Sequence, residues 1–169
     1  MSKDCPTQFM IMDACVLIDY INGEPELFKL ISSLIGPIYV ATPVLEEVDS
    51  IESVLVLEDF GLLPIEPEME DVFEASEMVG RTSFQDNICF LTAKRQGLTC
   101  ITNDRNLRIQ CKTSGVPILW GLELILELVK TNGISKKKAS HIAEEIHQSN
   151  PKHIGQDIID RFQKQLDRI

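Results

Sequence analysis

The sequence predicts an α/β fold built on a mostly parallel sheet of about five strands. Short, β-rich apolar runs alternate along the chain with longer segments in which apolar residues recur at helical spacing. The connections are short, and this alternation is typical of βα units whose helices cover a parallel sheet. At 169 residues and 44% hydrophobic content, the chain has enough apolar material for one main domain with a buried core.

The first half of the chain alternates three predicted strands with four predicted helices. An apolar run at 9–13 gives the first strand, and Ile38 to Ala41 gives the second. Thr42-Pro43 combines a capping side chain with a proline, which is typical of a helix start, so one long helix is expected from residue 43. The predicted strands are 9–13, 38–41 and 62–66, and the predicted helices are 14–22, 25–35, 43–59 and 68–79.

The second half continues the alternation. Ser83 is placed to cap a helix that ends at Gly97, and the β-rich run Leu98 to Thr102 follows. The helix at 121–131 is almost continuously apolar, which indicates that it is deeply buried or shared with a partner. The predicted strands are 99–102 and 116–119, and the predicted helices are 84–96, 105–113 and 121–131.

A helical tail follows Asn132-Gly133. Ser135 is placed to cap a helix that carries Lys136-Lys137-Lys138, and Asn150-Pro151 ends that helix before a last amphipathic one. The chain is therefore divided into a main domain at 1–133 and a C-terminal helical extension at 134–169. We expect the extension to pack on the main domain or on a partner.

The net charge of −10 is distributed unevenly. Residues 1–80 carry 17 acidic side chains against Lys3 and Lys29, a net charge of −15. The segment 81–112 carries six basic side chains against Asp86 and Asp104, a net charge of +4. Because phosphate contacts by Lys and Arg dominate nucleic-acid affinity, this segment is a candidate surface for a polyanion. Taken singly, most of its basic side chains are better explained as solvated helix faces.

The sequence also indicates the cellular compartment, disfavours a zinc site and suggests the redox state of the cysteines. No apolar run approaches the ~18 to 20 residues that cross a bilayer, and MSKDCPTQ lacks the regions of a signal peptide, so a cytoplasmic protein with no membrane partner is expected. His141, His147 and His153 are spaced six apart, which disfavours a zinc site on one helical face. The cysteines form no CxxC pair and are expected to be reduced thiols; they are Cys5, Cys15, Cys89, Cys100 and Cys111.

Acidic side chains are predicted to meet at one edge of the sheet. Asp13 follows the first strand, Asp104 follows the fourth, and Asp86 opens the helix between the third and fourth strands. Glu46 and Glu47 follow the second strand. The carboxyl ends of parallel strands and the N-termini of helices share this edge. Like charges that meet there need a proton or a cation, and Mg²⁺ and Mn²⁺ prefer oxygen ligands, so a divalent metal is expected.

Each acid also has a structural explanation. Asp86 fits a capping box, and Asp104 fits a turn or a cap. Glu46 and Glu47 can complement a helix dipole. Asp13 is harder to explain in this way, because it lies between two apolar runs, where a buried charge is costly without a partner. The prediction of a site therefore depends on the shared edge rather than on any one acid.

Four blocks of the sequence resemble the PIN-domain nucleases, and most closely the small VapC-type toxin ribonucleases of prokaryotes. The blocks are IMDACVLIDYI, TPVLEEV, SFQDNICFLTAKRQG and CITNDRNLR, and the resemblance covers about residues 8–131. It implies a three-layer α/β/α fold with a mostly parallel central sheet of about five strands. The C-terminal helical tail lies outside the resemblance.

The resemblance also implies roles for individual residues. The acids implied to bind metal and carry catalysis are Asp13, Glu47, Asp86 and Asp104, with Glu46 as the alternate to Glu47. Thr102 and Asn103 are implied to support them as neighbouring polar groups. In one departure, Cys15 stands two residues after the first acid, where such proteins often carry a small hydroxyl or amide residue. In another, the middle acid is doubled.

The implied activity is that of an endoribonuclease that uses Mg²⁺ or Mn²⁺ to cleave RNA phosphodiester bonds. The candidate RNA contacts are Arg81, Lys94, Arg105 and Arg108. The resemblance further implies an antitoxin partner and a homodimer, although a nuclease of RNA processing that is not a toxin fits the same residues. 

Other functions use related folds. A PIN-like binding or regulatory module with weak or no catalysis is the main alternative, because Cys15 departs from the pattern and the net charge of −10 opposes RNA association. A phospho-acceptor receiver domain is disfavoured, because the closely paired acids after the first strand are missing. A dinucleotide enzyme is disfavoured, because no GxGxxG follows any predicted strand.

Overall fold

The sheet of this protein has five strands, all parallel, in the order β3-β2-β1-β4-β5. The structure is a computed structural model that describes residues 8–169. The strands are β1 (Met10–Met12), β2 (Ile38–Ala41), β3 (Leu63–Ile65), β4 (Thr99–Ile101) and β5 (Ile118–Leu119). The α/β class and the five-stranded parallel sheet expected from the sequence are confirmed.

Strand β1 lies at the centre of the sheet. Met10 pairs with Ile38 of β2 on one side and with Thr99 of β4 on the other. All three residues of β1 are fully buried, because a parallel sheet is covered by helices on both faces and its central strand reads as a continuous apolar run. Asp13, the residue after β1, is therefore delivered to the middle of the carboxyl edge.

The helices form two groups that cover the sheet. The first five are α1 (Ala14–Asn22), α2 (Leu27–Leu34), α3 (Val54–Asp59), α4 (Met69–Glu77) and α5 (Phe84–Gln96). The others are α6 (Arg105–Thr113), α7 (Gly121–Lys130), α8 (Lys136–Ser149) and α9 (Gln156–Arg168). Helices α4, α5 and α6 pack together, with α5 against β1, β2 and β4, whereas α1, α2, α7 and α8 form the second group.

The single helix predicted at 43–59 is wrong. A 3-10 helix covers Thr42–Glu47, and α3 begins only at Val54. Val48 leaves the helical region, with φ −119° and ψ 88°, and a turn closes with Ile51 N–H donating to the Val48 carbonyl at 3.0 Å. Asp and Ser favour turns, as at 49–50, and both Val48 and Ile51 are buried, so packing of these two side chains outweighs helix continuation. Glu46 and Glu47 thus end a 3-10 helix and do not open an α-helix.

The C-terminal extension is helical and lies against the rest of the chain. Helix α8 contacts α1 and α7, and α9 contacts α7 and α8. The Ser135 hydroxyl accepts the Lys138 N–H at 3.1 Å and caps α8, as the sequence predicted. The apolar side chains of α7 are buried within this chain, which accounts for its continuous hydrophobicity. The division of the chain after residue 133 stays a prediction.

Two compositional expectations concern the described part of the chain. Among residues 8–169, no helix is both long and apolar enough to cross a membrane. Four cysteines have free thiols, namely Cys15, Cys89, Cys100 and Cys111. Cys5 lies outside the described residues.

Candidate functional site

Three of the predicted acids lie at the N-termini of helices. One oxygen of Asp13 accepts the Val16 N–H at 3.1 Å and caps α1, and one oxygen of Asp104 accepts the Leu107 N–H at 2.8 Å and caps α6. Asp86 forms the predicted capping box of α5. Helix N-termini carry partial positive charge, which favours carboxylates there. Each of these three aspartates therefore has a role in capping a helix, whether or not the acids also lie close together.

Thr102 joins two of the acids. It follows β4, the neighbour of β1, and is fully buried. Its hydroxyl donates to the Asp13 carboxylate and accepts the Asp104 N–H at 3.0 Å. Because a hydroxyl has one proton and two lone pairs, it can serve both groups at once. Thr102, which the sequence predicted as a supporting polar group, thus lies between Asp13 and Asp104; its role in a site stays a prediction.

Asp13 is the most deeply buried of the acids. Its residue is only 2% exposed, and this burial raises the pKa of its carboxyl from 3.8 to about 7. Hydrogen bonds from Thr102, Cys15 and Val16 lower the pKa, and the charge of Asp86 raises it further. Since burial outweighs the donors, the ionised carboxylate is poorly compensated and would gain from a nearby cation.

Cys15 takes the place at which a hydroxyl or amide residue was expected. Its thiol donates to both oxygens of Asp13, at 3.1 and 3.0 Å between Sγ and oxygen. Burial raises the pKa of the Cys15 thiol, and the charge of Asp13 adds to this effect. The thiol therefore stays protonated and remains a donor, although a weaker one than a hydroxyl.

Asp86 is electrostatically linked to the other three acids. Partial burial raises the pKa of Asp86, with repulsion from Asp104 as a further cause. Partial burial also raises the pKa of Glu47, and repulsion from Asp86 adds to it. Glu46 is instead engaged by Gln85, whose amide donates to it at 3.1 Å. This geometry favours Glu47 over Glu46 as the fourth member of the cluster.

The donor set suits a hard cation in kind but not in spacing. All four acids offer oxygen ligands, as Mg²⁺ and Mn²⁺ prefer, and the poorly compensated charge of Asp13 adds an electrostatic demand for a cation. However, among residues 8–169 no three Asp, Glu, His or Cys side chains lie close enough to hold one metal ion. The acids share one edge and repel one another without converging on a point.

The hydrogen bonds of the Asn103 side chain go to groups other than the four acids. Its amide donates to Asp19 at 3.3 Å, and its side-chain oxygen accepts the Gly121 N–H at 3.0 Å. Sequence reasoning missed Asp19, which is 5% exposed within α1. The available signal was an acid within the apolar pattern of a helix, which is comparable to the position of Asp13 between two apolar runs.

The predicted basic contacts lie at different distances from the acids. Arg105 is exposed beside Asp104. The Arg108 guanidinium lies 3.4 Å from the ring centroid of Trp120, an aromatic residue that sequence reasoning missed, and Arg108 Nε donates to the Asp104 carbonyl at 3.2 Å.

Arg81 lies on the loop before α5, and its carbonyl accepts the Asn106 amide of α6 at 3.4 Å. Lys94 lies eight residues beyond Asp86 on α5, which places it about 12 Å along the helix axis. Its ammonium group lies 5.9 Å from the Phe90 ring centroid. Arg81, Arg105 and Arg108 thus lie near the N-terminal ends of α5 and α6, where Asp86 and Asp104 are found, whereas Lys94 is at the far end of α5.

Comparisons with known proteins bear on the fold. A scan against protein-family models finds no match, and a search of curated proteins finds none either. Among solved structures, a PilT N-terminus domain protein from the hyperthermophilic archaeon Sulfolobus solfataricus matches with a TM-score of 0.53 and 14% identity, covering 73% of this chain and 93% of that chain. The narrower VapC-type likeness stays a prediction. The chain is thus similar in fold to a PilT N-terminus, or PIN, domain protein.

Proposed function

We propose that this protein is a metal-dependent endoribonuclease that acts at the carboxyl edge of its sheet. The single observation that carries the proposal is the meeting of Asp13 and Asp104 through Thr102, with Asp86 electrostatically linked to both. The fold, which is similar to that of a PIN-domain protein, and the four sequence blocks that resemble PIN nucleases support the same conclusion. RNA rather than DNA is proposed from the resemblance alone.

The cation in this proposal is Mg²⁺ or Mn²⁺. Asp13, Asp86 and Asp104 would hold it, with Glu47 as a further ligand directly or through water. A bound divalent ion activates a water and neutralises charge on the scissile phosphate. Because the carboxylates do not converge on one point, we expect binding to draw them together. Burial is the main cause of the raised pKa of Asp13 and of Asp86, and repulsion between neighbouring acids adds to it; a bound cation would relieve both of these costs.

The protein groups around the acids have separate tasks. Thr102 and Cys15 hold the Asp13 carboxylate in one orientation from two sides. Glu47 is the most accessible of the four acids to solvent, and its partial burial still raises its pKa, which suits an acid that accepts the proton of the attacking water. In this proposal Arg105, which follows Asp104 in the chain, and Arg108, which donates to the Asp104 carbonyl, would contact phosphates next to the scissile bond. Arg81 would extend this contact along the loop before α5.

The biological setting has two candidates within the same chemistry. One is the toxin of a toxin–antitoxin pair, which would work in the cytoplasm as a homodimer and be covered by an antitoxin. The other is a nuclease of RNA processing without such a partner. A small DNA-binding protein encoded next to this one, and purifying with it, would identify the toxin.

The test combines metal binding with cleavage. Mn²⁺ is titrated calorimetrically into wild type, Asp13→Asn and Asp104→Asn, and each protein is then incubated with a labelled structured RNA. Asp167→Asn serves as a matched control, because it removes an exposed carboxylate from α9. We expect binding and cleavage by wild type and by the control, and neither by the two site variants. Full cleavage by Asp13→Asn would contradict the proposal.

A PIN-like binding or regulatory module is the second candidate. The observation that favours it is the spacing of the acids, since no three of them close on a single ion. Such a module would bind RNA or a protein partner while wild type neither takes up Mn²⁺ nor cleaves. In the experiment above, that combination of results selects the module over the nuclease.

A further inference from the structure

Asp19 is a buried acid that the proposed chemistry does not use. It lies on α1, is 5% exposed, and makes no ion pair among the described residues. Its two oxygens accept hydrogen bonds from two side-chain amides, one from Asn103 at 3.3 Å and one from Asn150 at 2.9 Å. Burial raises the pKa of Asp19, and the two amides and His153 oppose that rise. Loss of either amide would leave an oxygen of this buried carboxylate without a donor, which costs free energy.

One of these donors belongs to the turn that carries the candidate site. Asn103 lies between Thr102 and Asp104, and its side-chain oxygen also accepts the Gly121 N–H at 3.0 Å. Space at this point is small: a Cβ on Gly121 would lie 3.3 Å from the Asn103 amide nitrogen. The Asn103 side chain is therefore held between α1 and the start of α7. This restrains the backbone of the 102–104 turn, to which Asn103 belongs.

The other donor comes from the C-terminal extension. Asn150 ends α8 and is 131 residues from Asp19 in sequence. The connection between α8 and α9 is itself braced, because the His147 ring nitrogen Nδ1 lies 2.6 Å from the Ile154 carbonyl oxygen. Ile154 is fully buried. The Asn150 amide is thus presented to Asp19 from an ordered connection and not from a free end.

We propose that the C-terminal extension completes the candidate active site, with Asn150 holding Asp19, and Asp19 holding Asn103 and the turn that carries Thr102 and Asp104. Asn150 and Asp19 are positioning residues, since neither touches the four acids. The inference rests on the proposed function, because it names the device that orients that same site. It assigns the extension a role within the chain that requires no partner protein.

The test exploits the chemistry of the contact. Asn150→Asp places a carboxylate against Asp19 and breaks the contact by repulsion. The double variant Asp19→Asn/Asn150→Asp restores one amide facing one carboxylate, so it should restore the hydrogen bond. Ser140→Ala is the matched control, because it removes a hydrogen bond of 3.2 Å between α8 and α9 without touching Asp19.

We expect Asn150→Asp to weaken Mn²⁺ binding by about tenfold, the low end for groups that orient metal ligands. The kcat for RNA cleavage should fall by a similar factor with little change in KM. The double variant should return both quantities to within about twofold of wild type, and Ser140→Ala should leave both unchanged. A folded Asn150→Asp protein with wild-type metal affinity, or a double variant that fails to restore it, would overturn the proposal.

A readout independent of activity separates this inference from the proposed function. The Asp104 amide donates to Thr102 at 3.0 Å, so its hydrogen exchange reports on the 102–104 turn. Exchange at Asp104 should accelerate about tenfold in Asn150→Asp and recover in the double variant, even if wild type neither binds Mn²⁺ nor cleaves RNA. Unchanged exchange would refute the positioning role by itself. Asn150→Ala, which removes the donor without adding a charge, gives the same comparison if Asn150→Asp does not fold.

Discussion

Asp13→Asn is predicted to stabilise the metal-free protein at alkaline pH. Burial raises the pKa of the Asp13 carboxyl from 3.8 to about 7 in the folded protein, so the folded state binds this proton more tightly than the unfolded state does. At pH values between these two pKa values the folded state binds more protons than the unfolded state does. The free energy of unfolding therefore falls as the pH rises. The variant has no such group, and its amide keeps an oxygen for the Val16 N–H.

The size of the effect follows from the two pKa values. Each pH unit between them contributes about 1.4 kcal/mol, so ionisation of Asp13 costs the folded state about 4 kcal/mol above pH 7 relative to the fully protonated form. In the range from pH 5 to pH 8, only the two units between pH 5 and the folded pKa of about 7 contribute. The free energy of unfolding of wild type should therefore fall by about 3 kcal/mol more than that of Asp13→Asn over this range.

The assay is urea unfolding of both proteins at pH 5, 6, 7 and 8 with EDTA present. Taking the difference between the two proteins at each pH cancels most contributions from other titrating groups. Added Mn²⁺ at pH 8 should stabilise wild type and leave the variant unchanged, because binding to the folded state alone raises its stability. A wild-type–variant difference that stays constant within about 0.5 kcal/mol from pH 5 to pH 8 would refute the reasoning about Asp13 burial.

Three further substitutions test hydrogen bonding, packing and backbone strain. Thr102→Val removes the donor to the Asp13 carboxylate and the acceptor of the Asp104 N–H, and should lower the free energy of unfolding by about 3 kcal/mol in urea at pH 8. Thr102→Ser keeps the hydroxyl and should retain most of this stability. Gly121→Ala places a Cβ 3.0 Å from Val16 Cγ1; urea unfolding should show a net loss of about 1 kcal/mol, and a gain would contradict the tight packing. Gly97→Ala meets no atom within 4 Å but keeps φ +67°, so a calorimetric melting curve should show a loss of about 1 kcal/mol from backbone strain alone.

Local patterns were sufficient to predict most of the fold. The sheet could be predicted because its central strands are short continuous apolar runs. The starts of α5 and α6 could be predicted because their caps, Ser83 and Asp104, each accept an N–H from a residue only three positions further on. The prediction of one helix at 43–59 was wrong because the structure of this segment depends on distant contacts. Its interruption depends on where Val48 and Ile51 are buried, and burial against distant elements is not encoded in the local pattern.

The sequence by itself determined that acids follow the strands and helix starts of one edge, since this depends on the order of elements along the chain. Only the tertiary structure decided how those acids are held. The Thr102 hydroxyl reaches Asp13 across 89 residues of sequence, and the Asn150 amide reaches Asp19 across 131. Hydrogen bonds act over about 3 Å in space regardless of separation along the chain, so no periodicity or spacing reveals them. The order of the chain therefore placed the acids at one edge, whereas pairing of β4 with β1 brought Thr102 to Asp13, and packing of the extension against α1 brought Asn150 to Asp19.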